Sequence, residues 1–272
     1  MILPPGWYPR DKAKIGEFLE QFPKNGVFSA AVAPHAGWYF SGSCAALAVS
    51  SLNPDAETVV VIGGHLPKGM PVLVAGEDGV RTPLGTVKFD EELRKVFTEN
   101  LETRPDRYQD NTVEVLLPMV HYFFPQAKLL WLRFPAALSS FEAGKILAKT
   151  ASSLGRRIVV LASTDLTHYG INYGFNPKGS GNAALEWVKN VNDAAFIEAV
   201  IKGDPQLVLE RAEKDYSACS AGAVLGALGF CAESGLSKRK LLKYSNSADM
   251  GASNLNAGVP DSFVGYAAFL LG

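Results

Sequence analysis

Arg157-Ile158-Val159-Val160-Leu161-Ala162 runs straight into Ser163-Thr164-Asp165-Leu166-Thr167-His168. The first half is a short, unbroken aliphatic run, the pattern of a strand buried on both faces, and the second half is polar. Strands of that kind belong to parallel sheets covered by helices, and the residues after their carboxyl ends lie on the rim where such sheets bind ligands. Three further runs share the pattern, at residues 27–33, 58–62 and 128–134. Two of them also end in polar groups, the first in Pro34-His35-Ala36-Gly37 and the second in Gly63-Gly64-His65.

Helical patterns lie between these runs. Ile15, Phe18, Leu19 and Phe22 recur at helical spacing after Asp11, a candidate N-cap, and Ser139 to Glu142 reads as a capping box. Longer helical stretches follow at 183–201 and 218–233, then two strands at 240–244 and 263–269. Segments 169–182 and 245–261 read as long loops, which in a compact domain are often functional. The fold class expected is α/β, a single domain over 1–272 with a mostly parallel central sheet flanked by helices.

Composition limits the function classes. With 26 Lys plus Arg against 27 Asp plus Glu, the formal charge of -1 gives no general attraction to phosphate backbones or anionic lipid, so neither nucleic acid nor membrane is an expected partner. The apolar stretch 218–232 is too short to cross a bilayer and reads as a buried helix. The first residues, Met1-Ile2-Leu3-Pro4-Pro5-Gly6, do not read as a secretory leader, and a cytoplasmic address is expected.

The chain has four histidines, and three of them, His35, His65 and His168, fall at or just beyond strand ends that should share one rim. Cys219 sits where a helix starts, with Asp215 or Ser217 as its expected N-cap, and a helix start favours the thiolate. Cys44 and Cys231, inside Ala-rich helices, are expected to be packed and inert. His35, His65 and Cys219 would supply two imidazoles and a thiolate to one metal, leaving a position open for water or substrate. Such donors suit iron, copper or zinc, and sequence alone does not rank them.

Asp165 and His168, three residues apart, are candidates for an orienting carboxylate and an acid/base group, the alternative for Asp165 being a helix cap. Glu114, a carboxylate near an apolar segment, has either a buried partner or a helix-start role, and Asp249 is a site residue or a turn residue. Trp38, Tyr39, Tyr169 and Tyr173 either stack on a bound aromatic molecule or pack the rim. Cys219 with His35 or His168 could also form a nucleophilic pair, the reading ranked last.

Several stretches together resemble the Memo family: Trp7-Tyr8-Pro9, the run from Ala33-Pro34-His35-Ala36-Gly37 to Gly42, Thr82-Pro83-Leu84-Gly85, Ser163 to Gly170, and Val264-Gly265-Tyr266-Ala267-Ala268. The match runs in order from about residue 4 to 270. It implies a fold similar to the catalytic subunit of class III extradiol dioxygenases, whose iron(II) is held by two histidines and a carboxylate, with a cysteine in the carboxylate's place. His35, His65 and Cys219 become the metal residues, with iron(II) favoured over copper or zinc, and Asp165 and His168 line the pocket beside Trp38, Tyr39, Glu114, Tyr169 and Asp249.

This chain departs from the family pattern at three places. Asp110-Asn111-Thr112 stands where Glu-His-Ser is usual, so one pocket histidine is missing at Asn111; Gly63-Gly64-His65 replaces Gly-Pro-Ser-His; and Ser220 follows Cys219 where Gly is usual. The resemblance leaves two readings. One is a non-haem, metal-dependent oxidoreductase, dioxygenase-like, acting on a small aromatic molecule. The other is a non-catalytic adaptor that binds metal or a peptide and works with a companion domain and a radical S-adenosylmethionine protein, the AmmeMemoRadiSam arrangement.

Overall fold

The structure, a computed structural model, describes residues 3–251 and 259–272. The chain opens with α1 (Lys12–Leu19), β1 (Ala30–Ala33), α2 (Trp38–Ser50) and β2 (Thr58–Leu66). It continues through β3 (Val72–Val74), the hairpin β4 (Gly79–Thr82) and β5 (Gly85–Lys88), α3 (Glu91–Glu99) and β6 (Thr103–Pro105). Two short helices, α4 (Asn111–Glu114) and α5 (Leu117–Phe123), lead into β7 (Lys128–Pro135), α6 (Ser139–Ser153), β8 (Ile158–Ser163) and β9 (His168–Gly170). Four helices follow: α7 (Asn182–Trp187), α8 (Asp193–Lys202), α9 (Pro205–Asp215) and α10 (Ala221–Glu233). The last elements are β10 (Arg239–Asn246), α11 (Ser247–Gly251) and β11 (Ser262–Leu271).

Strand order in the main sheet is β10-β11-β1-β8-β2-β7-β3-β6. The centre, β1-β8-β2-β7, is parallel throughout, as the unbroken apolar runs require. Antiparallel strands join at the margins, β11 against β1 on one side and β3 against β7 on the other. Period-2 alternation divides the central strands between two cores. Ala31, Ala33, Val59, Val61, Leu129 and Leu161 face the layer of α1, α2 and α5. Their neighbours Ala30, Val32, Val60, Ile62, Leu130 and Leu132 face the layer that includes α3, α6 and α8 to α10. With both faces covered, no position on these strands needs a polar side chain, which is why the runs look continuous.

Some local readings differ from the structure. Asp11 caps α1 through the amide of Lys14 at 3.0 Å, but the Ser139 capping box does not form: α6 is entered from Leu138, and the Glu142 carboxylate instead accepts from Lys145 at 2.9 Å. Stretch 183–201 is two helices, α7 and α8, joined by a π turn at Val188–Asn192. Segment 245–261 is not one loop. Its start completes β10 and forms α11, while residues 252–258 lie outside the described residues. No described helix is long and apolar enough to cross a membrane.

Candidate metal centre

Register brings the chemistry together. Ala33 pairs with Ser163 and Ile62 with Ala162, so β1, β8 and β2 end level on one rim. His35 lies two residues beyond the end of β1 and is 1% exposed. Its backbone N–H donates to Asp165 Oδ1 at 2.8 Å, and its ring Nδ1 shares a hydrogen bond with Ser163 Oγ at 2.7 Å. That bond turns the other nitrogen, Nε2, towards Cys219 Sγ at 3.2 Å. A hydrogen bond to one ring nitrogen fixes which nitrogen is offered to a ligand.

His65 reaches the same sulfur from β2, where the two preceding glycines allow the strand end to press on its neighbours. A Cβ on Gly63 would lie 2.5 Å from Thr112 Oγ1, and one on Gly64 would lie 2.4 Å from the Ser220 Cβ. Only glycine fits at either position without displacement. His65 itself has φ +59°, its ring meets the His35 ring edge-on with centroids 5.0 Å apart, and Nδ1 lies 3.4 Å from Asp110 Oδ2.

Cys219 precedes the N-cap of α10, which is Ser220, rather than lying inside the helix as expected; Asp215 ends α9 and Tyr216 turns the chain with φ +51°. The sulfur is held by the turn after β8: the Asp165 N–H donates to Sγ at 3.3 Å, and the Cys219 N–H donates back to the Asp165 carbonyl at 3.3 Å. Asp165 Oδ2 stands 3.9 Å from both His35 Nε2 and His168 Nε2. His168 Nε2 is buried and has no hydrogen-bond partner among the described residues.

Charge follows from this packing. Burial alone would raise the Cys219 thiol, but His35 first, then His168 and His65, bring it well below the usual thiol range. Burial likewise opposes an imidazolium at His65 and His168. The nearby negative charges of Asp110 and Cys219 outweigh it for His65, and those of Asp165 and Cys219 for His168, so that each is raised to about 10. A thiolate ringed by imidazoles is the charge state that metal ligation needs on the sulfur. One donor atom from each of His35, His65 and Cys219 lies within 4.8 Å of the others. An ion with bonds of about 2.0–2.3 Å needs at most about an ångström of closure to bridge them. The donor set therefore fits a borderline metal ion.

A family model described as Memo-like protein matches residues 5–270. The chain belongs to the Memo family. A MEMO1 family protein of Pyrococcus abyssi is 30% identical, over 97% of this chain and 96% of its own length. Another, of Methanosarcina mazei, is 32% identical over 89% and 85%. Among solved structures, an uncharacterized protein from Escherichia coli K12 aligns with a TM-score of 0.48 and 12% identity, over 89% of this chain and 99% of that one.

In this Memo chain a cavity of about 690 Å³ opens over the cluster, with His35, His65, Asp165, His168 and Asn111 among its lining. Of the aromatic and acidic residues expected there, Tyr39 and Tyr173 line it. Trp38, Tyr169, Glu114 and Asp249 do not. Trp38 is buried, donating from Nε1 to the Val115 carbonyl at 2.9 Å and packing on Phe18. Tyr169 follows His168 on β9, so it points to the opposite face, where it stacks on Phe263 and donates to the Gly179 carbonyl. Glu114 accepts from the Leu3 amide and the Tyr8 hydroxyl, each at 2.8 Å, tying down the N-terminal segment. Asp249 closes a turn with Asn246.

Sequence reasoning missed the supports of the Memo cluster. Ser163 was read only as the strand's exit. Asp110 was read only as part of a departure from the family pattern, and Arg133, fully buried on β7, as part of an apolar strand. A lone arginine near the carboxyl end of such a run was the available signal, because a buried cation needs a carboxylate partner. Asn111, in the place of the missing histidine, donates to the His35 carbonyl at 2.8 Å and so braces the loop that carries that residue.

Proposed function

We propose that this Memo protein holds one divalent or redox metal ion, iron(II) before copper or zinc, at His35, His65 and Cys219, and acts as an oxidoreductase on a small aromatic molecule. The observation that carries the reading is the convergence of those three donors, two of which, His35 and His65, line a cavity open to solvent. Bound iron(II) would supply the electron-transfer chemistry needed to use dioxygen or a similar oxidant. The chain's own residues supply the rest. His168 lines the cavity with Asp165 behind it and, with its pKa raised, is suited to giving a proton to a bound ligand. Tyr39, Phe40, Tyr173 and Tyr266 offer ring faces or edges to a flat ligand, and among the described residues no lysine or arginine lines the cavity, which disfavours phosphorylated substrates.

The test is metal content by mass spectrometry after purification without oxygen or chelator, followed by oxygen uptake with a panel of catechols. Near-stoichiometric iron, lost in His35→Ala and Cys219→Ala, together with catechol-dependent uptake, is the expected result. Absence of metal from well-folded wild type would overturn it. A second reading, a peptide-binding adaptor working with a companion domain and a radical S-adenosylmethionine protein, is favoured by Tyr39 and Phe40, which stand 63% and 45% exposed at the cavity mouth. It predicts metal or peptide binding without uptake.

A further inference from the structure

β2 does not end smoothly at the cluster. Its register against β7 shifts between Gly63 and Leu66, and within that shift His65 takes its left-handed backbone. A residue with a Cβ persists there only when its surroundings over-determine it. Asp110 is one such surrounding. Its carboxylate caps α4 through the Thr112 amide at 2.9 Å and the Thr112 hydroxyl at 2.8 Å, and faces the His65 Nδ1.

Arg133 is another. It pairs in register with Gly63, directly across from the start of the shift, and its side chain is 0% exposed. Nη1 donates to Asp110 and to Thr112, Nε donates to Asp106 at 2.7 Å, and Nη2 has no partner among the described residues. An incompletely satisfied cation in a strand core is a cost that a leucine would avoid, so packing does not account for it.

We infer that Asp110, held by Arg133, is a positioning residue for His65: the carboxylate faces the Nδ1–H as its acceptor and turns the ring's other nitrogen to Cys219, while the guanidinium holds the carboxylate. The effect on metal affinity rests on the metal reading above; the pairing itself does not. It also gives the departure at Asp110-Asn111-Thr112 a role, since all three residues brace the two histidine segments.

Cobalt(II) titration of the full chain, followed by thiolate-to-cobalt absorption, tests the inference. Asp110→Asn and the charge-retaining Asp110→Glu should each weaken cobalt binding 10- to 100-fold, roughly the loss known for removing a group that orients a ligand. The weakening should vanish when His65 is already Ala. Unchanged affinity in both Asp110 variants, or a loss undiminished in the His65→Ala background, overturns the inference. Should Asp110→Asn fail to fold, Asp110→Glu, which keeps a charge for Arg133, decides alone.

Melting temperatures of the metal-free wild type, Asp110→Asn, His65→Ala and the double variant read the pairing without metal. The Asp110 substitution should lower the melting temperature by several degrees less when His65 is absent, and additive losses would sink the inference. A wild type that takes up no cobalt yet shows this non-additivity would remove the metal reading and leave the pairing standing.

Discussion

His35 and His65 face one sulfur from the ends of two strands that flank β8, yet they are held by different means. His35 is sealed in the core, with its amide on Asp165 and its ring on Ser163, both from β8 and the turn after it. The His65 side chain is 33% exposed, its backbone is left-handed, and the carboxylate facing its Nδ1 comes from the cap of a four-residue helix. One imidazole is therefore part of the packing and the other is an attachment to it. Replacing the first should disturb the fold, and replacing the second should disturb only the site.

Cys219 serves both histidines, so its loss gives the largest effect. Cys219→Ala should weaken metal binding about 100- to 1000-fold, taking one donor's share of a typical site's binding energy. Retention of stoichiometric metal would show that the comparison concerns the wrong donor set. In metal-free protein, His35→Gly should lower unfolding stability by about 3 kcal/mol through the cavity and the unpaired Ser163 hydroxyl. His65→Gly should change it by no more than about 1 kcal/mol, with relief of the left-handed strain acting in its favour. Equal losses in urea unfolding would break the contrast.

The contact beneath His65 sharpens it further. A Cβ at Gly64 meets the Cβ of Ser220, and in the family pattern the side chain sits on the other partner, Ser before the histidine and Gly after the cysteine. Gly64→Ser should cost about 2 kcal/mol as an overpacked contact. Gly64→Ser combined with Ser220→Gly should recover most of it in thermal unfolding. A double variant no better than the single would show that the two positions are not exchanged partners.

The smallest effect lies on the His35 side. The turn that carries Asp165 and His168 is held by Asp193, which accepts from the Thr167 amide at 3.1 Å and from the Tyr244 hydroxyl at 2.8 Å. Burial raises the Asp193 carboxyl to about 6, against the lowering effect of those bonds. Its folded pKa thus exceeds the unfolded value of about 3.9, so the group detracts from stability above pH 6 and the deficit is relieved as pH falls from about 6 towards 4. Between pH 7 and pH 5 wild type should gain about 1 kcal/mol relative to Asp193→Asn. Parallel pH profiles for the two proteins would rule this out.

The central sheet was legible because its strands are buried on both faces, and nothing but aliphatic residues satisfies that environment. Runs 58–62, 128–134 and 157–162 each fall within a residue or a few of β2, β7 and β8, and the polar residues at their ends do share a rim. Directions of individual side chains were less accessible. Tyr169 and Trp38 adjoin site residues in sequence, but alternation on β9 and burial beneath α2 turn them away from the cavity. Glu114 was visible as a carboxylate near a core, while its partners lie more than a hundred residues upstream and no local pattern names them. The Asp110–Arg133 support was hidden for the same reason, since it depends on which strand lies beside β2.

The bond between His35 and Cys219 joins residues 184 apart in the chain, and β1 is enclosed by β8 on one side and β11, the final strand, on the other. Closing so long a loop is entropically unfavourable before the intervening strands pair, and contacts of this kind slow folding. The cluster therefore cannot preassemble in a nascent segment. An ion bound there would require residues 35 to 219 to have folded together, so its affinity would add to the stability of the folded chain.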